Sequence, residues 1–173
     1  MRIKGTRHRQ VVAGVLALAM CGVASPTLAA GKAKSPFCAS ATDIAALNAR
    51  VLQTELMVAA LSCEERQRYN AFVTSYQSVL TDRGKALQAM FKRVHGGAAE
   101  NRLNSFITRL ANDTSQQVRE RGDDYCSYAG TLFEETLATK PADLNRLTSK
   151  PWIESRHGYR SCVLEASSSK TPG

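Results

Sequence analysis

Histidine is scarce in this sequence, three residues in 173, and tryptophan is scarcer still, with one. No Cys-x-x-Cys pair occurs, and His95 and His157 stand alone with no cysteine at ligand spacing, so neither a zinc knuckle nor a thiol-exchange motif is present. No serine sits in a Gly-x-Ser-x-Gly elbow. Glycine-rich phosphate loops are absent too, because "HGG" at 95–97 reads as a helix stop. Alternating apolar and polar runs of useful length are missing, which removes the half-buried strand as a building block. What remains is an all-α chain with no expected metal and no expected cofactor.

The first residues, "MRIKGTRHRQ", carry Arg2, Lys4, Arg7 and Arg9 without an acid and lead into "VVAGVLALAMCGVAS". That run is too short to span a bilayer comfortably, and the small residues of "SPTLAAGKAK" suit a peptidase. The pattern predicts a cleaved signal peptide over 1–29, with Ala30 as the mature N-terminus and no transmembrane anchor. A lipid on Cys21 would need a small residue before it, and Met20 is not small. Export to a periplasmic or secreted location follows as the expectation.

Losing residues 1–29 removes four bases and no acids, so the formal charge falls from +8 to +4. A mildly cationic chain favours anionic surfaces but falls short of a nucleic-acid binder, and no nucleic-acid partner is expected. The cut also removes Cys21 and leaves Cys38, Cys63, Cys126 and Cys162, an even set in an oxidising compartment. Two disulfides are therefore expected.

Ile44, Leu47, Val51, Val58 and Leu61 recur at helical steps, with Leu52 and Leu56 widening the stripe, which predicts a helix over 43–61. Ser62 and Glu65 then have the spacing of a capping box, so a second helix is expected from about Cys63. Its inward positions read Tyr69, Phe72, Val73, Tyr76, Leu80, Leu87, Phe91 and Val94. After "GGAAE" the period returns at Leu103, Phe106, Ile107, Leu110, Val118, Tyr125, Tyr128, Leu132 and Leu137. We read one third helix with a kink near Gly122, where Asp123 has the chemistry of a new N-cap. "ADLNRL" predicts a short helix and "SKPWIESRHGYRSC" an ordered irregular tail, with Trp152 plugging an end of the bundle.

Short connections force antiparallel neighbours, so the expected architecture is an up-down-up bundle of three long helices with a C-terminal short helix and irregular tail. The expected organisation is a lead-in over 30–41, a helical bundle domain over 42–164 and a disordered tail over 165–173. With the second turn near Gly97, Cys63 and Cys126 lie at nearly the same height, five residues or roughly 7 Å apart in helix rise. That pairs Cys63 with Cys126 and leaves Cys38 with Cys162 for the two ends.

Candidate chemistry is thin. Asp123 and Asp124 are adjacent, so on a helix they point about 100° apart and do not form an acid and base pair. Glu64 and Glu65 read as helix-start acids, and Glu134 and Glu135 as an exposed face. Asn112, Asp113 and Thr114 match a glycosylation acceptor. Two candidate binding sets remain. Tyr69, Tyr76, Tyr125 and Tyr128 fall toward the Cys63 and Cys126 end and would form an apolar groove. Lys85, Lys92, Arg102 and Arg109 would form a cationic outer face for an anionic envelope component. The sequence therefore points to an exported, non-enzymatic helical binding or structural module of the cell envelope, whose partner is a protein or an anionic envelope component. The alternative is a small exported enzyme or apolar-ligand carrier with its site at the tyrosine end.

Overall fold

A computed structural model describes residues 37–162. The expected signal segment, residues 30–36 of the lead-in and the expected disordered tail lie outside the described residues. The first helix, α1 (Ala41–Ser62), begins two residues earlier than its apolar period because Ser40 caps it. The Ser40 hydroxyl accepts the Asp43 N–H at 3.3 Å, and the Asp43 carboxylate accepts the Ser40 N–H at 3.0 Å. Arg93 donates to the same carboxylate at 2.6 Å. Burial pushes the Asp43 carboxyl up, but the Arg93 and Ser40 bonds outweigh it and hold it below its ordinary value.

Helix α1 is apolar around nearly its whole circumference, and such a helix must be covered on all sides. Every other α-helix of the described chain packs on it. Leu47, Leu52, Leu56 and Ala59 are fully buried. It is long and apolar enough to cross a membrane, but 67% of its most apolar window is buried inside the bundle, as befits a core helix. Leu61, assigned inward by its period, is instead exposed at the end of this helix.

The expected capping box at Ser62 and Glu65 does not form. Ser62 is still helical, the last residue of α1, so it lacks the extended backbone an N-cap needs. Cys63 closes the helix, Glu64 turns the chain at φ 61°, and α2 (Arg66–Ser75) starts without a side-chain cap. The second rod is also broken where one helix was expected. Tyr76 separates α2 from α3 (Gln77–His95), and its hydroxyl donates to the carbonyls of Thr136 at 2.8 Å and Thr139 at 2.6 Å. Helix α3 runs antiparallel to α1, with Arg93 against Asp43 at one end and Leu80 beside Gln53 toward the other.

A 3-10 turn at Gly96–Ala98 returns the chain into α4 (Ala99–Arg121), and Phe91 meets Phe106 across this hairpin with ring centroids 5.5 Å apart. The expected kink near Gly122 is a complete break. Gly122 has φ 52° and ψ −122°, and it rather than Asp123 occupies the N-cap of α5 (Asp123–Ala138). Asp123 and Asp124 lie in the first turn, where negative charge favours the helix dipole. Only glycine adopts this backbone without strain, and apart from its own chain neighbours nothing crowds the place a Cβ would take. Gly122→Ala is expected to cost about 1–3 kcal/mol from backbone strain alone. Gly84→Ala is the contrast, since Gly84 is mid-helix with open space around it, and the change is expected to stabilise by up to about 1 kcal/mol. Urea unfolding of the two variants measures both, and equal signs would refute the backbone account.

After α5 the chain makes a 3-10 turn at Pro141–Asp143 and the short helix α6 (Leu144–Thr148), as expected. The segment read as irregular holds one more helix, α7 (Pro151–His157), with proline at its first position and Gly158 closing it at φ 74°. It lies against α1, with Ile153 fully buried. Both disulfides pair as expected, Cys63 with Cys126 and Cys38 with Cys162, with Cα separations of 5.5 and 4.9 Å. Beside the second, Ala39 and Ser161 form a single parallel bridge. The fold is an all-α bundle stapled twice, with the second and third rods each divided and a helix-bearing C-terminal segment packed along α1.

Candidate functional site

A carboxylate sits inside the apolar central helix. Glu55 is 1% exposed, and the side chains that reach it come from three other helices. Tyr125 of α5 donates its hydroxyl to Oε1 at 3.1 Å, and Thr114 of α4 donates to Oε2 at 3.0 Å. Arg156 of α7 lies 3.5 Å from Oε2 and 2.5 Å from the Thr114 hydroxyl. A buried charge persists only if paired and hydrogen-bonded, and Glu55 is both. Burial first, then the Glu55 charge, raises the Tyr125 and Tyr128 hydroxyls well above the ordinary phenol range. Both rings therefore stay protonated donors.

The four tyrosines expected to line a groove are not equivalent. Tyr76 and Tyr125 are core residues, 1% and 0% exposed, with their hydroxyls committed to Thr136, Thr139 and Glu55. Only Tyr69 and Tyr128 are half-buried. Tyr128 meets Trp152 edge-on at 6.2 Å, and the Arg121 guanidinium lies over the Tyr128 ring at 5.2 Å. The four-tyrosine groove is thus corrected to two core anchors and two partly covered rings. Their period pointed inward from the start, and the buried Glu55 supplies the polar partner that lets Tyr125 lie there.

The four cations separate as well. All are exposed, but Lys92 borders a hollow between α3 and α4, with Gln88, Phe91, Glu100, Leu103 and Asn104, whereas Arg109 lies against α7. Arg109 donates to Asp113 at 3.4 Å and to the carbonyls of Arg156 at 3.3 Å and His157 at 3.4 Å, and it covers the Phe106 ring. It is a clasp on the C-terminal segment. Lys85 is only loosely paired, 4.0 Å from Asp82, and Lys92 and Arg102 have no ion-pair partner among the described residues.

Sequence reasoning missed Glu55, Thr114, Arg156 and His157. The available signal was a lone acid on an otherwise apolar helix, "VLQTELMVAAL", which demands a partner if that helix is covered. Among the described residues no group of three or more histidine, cysteine, aspartate or glutamate side chains is placed to hold a metal. Thr114 of the glycosylation triplet is buried, its hydroxyl bonded to Glu55. No family model, no curated protein and no solved structure matches this chain.

Proposed function

We propose that the mature chain is an exported, non-enzymatic helical binding module of the cell envelope that engages an anionic component through the α3–α4 hairpin. The supporting observation is the contrast between its inside and outside charges. Glu55 and Arg156 answer each other in the interior, while Lys85, Lys92 and Arg102 project to solvent around the hairpin with little or no carboxylate pairing. The paired disulfides are consistent with an oxidising compartment and so support export.

Binding to vesicles containing an anionic lipid, or to a soluble polyanion, tests this reading. It is expected to weaken steeply as the Debye length shrinks from about 10 Å at 0.1 M salt to about 3 Å at 1 M. Changing Lys85, Lys92 and Arg102 together to glutamine should remove most of the salt dependence without altering the fold, since all three side chains are exposed. Salt-independent binding, or binding unaffected by the triple change, would contradict it.

A further inference from the structure

We propose that α7 is a proton-released latch, held closed while His157 is neutral and freed when its imidazole takes up a second proton. His157 is 2% exposed. Its Nδ1 accepts the Tyr159 N–H at 3.0 Å, so the single proton of the neutral ring sits on Nε2, which is buried with no partner. A second proton must go to Nδ1, where it would face the Tyr159 N–H donor to donor.

The charges around the ring offer no relief. On the same helix Arg156 precedes it, and from α4 Arg109 reaches the His157 carbonyl. The carboxylates nearest α7 on the two helices that clasp it are spoken for: Glu55 of α1 is bonded to Arg156, Asp43 of α1 to Arg93, and Asp113 of α4 to Arg109, while Glu120 of α4 accepts from Gln116 and Glu100 of α4 and Glu154 of α7 itself are exposed to solvent. From α5, Tyr125 and Tyr128 stay neutral. On the α3 side the Tyr159 ring meets Phe91 edge-on at 6.2 Å, and Phe91 in turn meets His95 at 5.5 Å. An imidazolium at this position would be buried beside the Arg109 guanidinium. Burial, and then the Arg109 charge, accordingly push the His157 imidazole down to about 4 from 6.5.

The direction of the pH effect follows from that difference. Docked α7 binds the proton more weakly than free α7, so docking is constant above pH 6.5, weakens as pH falls from 6.5 toward 4, and levels off below. Two anchors limit the movement: α6 before α7, whose Leu144 and Leu147 are buried, and the Cys38–Cys162 disulfide after it. Release therefore opens a bounded flap and uncovers Glu55, Thr114 and the face of α1 beneath Ile153.

The chain carries its own reporter, because its one tryptophan, Trp152, lies on α7 against Tyr128. Lowering the pH of the disulfide-intact protein is expected to shift Trp152 emission to the red, reversibly, with a midpoint between pH 4 and 6.5 and with the far-ultraviolet helical signal nearly retained. His157→Gln should flatten this transition, and His95→Gln should leave it in place. A tryptophan change that coincides with loss of the helical signal, or one that persists in H157Q, would overturn the proposal. If H157Q fails to fold, the wild-type imidazole signals followed by NMR decide: His157 must titrate together with Trp152 emission, and titration near 6.5 with no emission change refutes the latch.

Discussion

Replacing Cys38 and Cys162 together by serine is expected to lower the unfolding free energy by about 5 kcal/mol, the chain-entropy value for a loop of this length. The bridge spans 124 positions, close to the whole described chain, so its loss frees more of the unfolded ensemble than any other single covalent change. The Cys63–Cys126 bridge spans 63 positions and is worth about 4 kcal/mol on the same basis. Because the shorter loop is nested in the longer one, each bridge shortens the loop that the other closes, so these values are upper bounds for the single removals and removing both costs less than their sum. Domains of this size are stable by about 5–15 kcal/mol, so the outer bridge alone is a large part of the margin. Urea midpoints of the oxidised, singly bridged and fully reduced protein measure it, and a midpoint insensitive to reduction would refute the assignment.

Arg156→Met is expected to cost about 3–5 kcal/mol, because it leaves the Glu55 carboxylate buried with two hydroxyl donors and no cation. Adding Glu55→Gln to that variant should recover much of the loss, since a neutral amide needs no counter-charge. The pair of single changes and the double change form a cycle whose coupling energy isolates the interaction. The exposed Lys150–Glu135 pair is the comparison, expected to contribute at most about 1 kcal/mol despite its shorter distance. An Arg156 loss no larger than that would show that the interior tolerates the bare carboxylate.

The apolar period carried the helices and the cysteine spacing carried the staples, because both are written in local or nearly local patterns. The breaks at Tyr76 and Gly122 obeyed different rules. Gly122 is marked by residue type, since its backbone suits glycine, but Tyr76 breaks its rod where its hydroxyl reaches carbonyls about 60 positions away, which no window around it contains. Helix α7 was concealed by its length of seven residues, too short for a period to establish, although its proline and its closing glycine were visible. Glu55 shows the limit most clearly. Its partners Thr114, Tyr125 and Arg156 lie 59 or more positions away and meet only once three further helices have docked.

The joining of Cys38 to Cys162 also determines how the domain would respond to a pull. Tension entering near one end and leaving near the other passes through the covalent bridge and never through the helices between them. The bundle is mechanically short-circuited: force applied across its ends stretches the segments outside the bridge while the hydrogen bonds and packing inside carry no load. Under reducing conditions the same force would act directly on the Ala39–Ser161 contact and then on α7, peeling the structure from the segment that Arg156 and His157 hold in place.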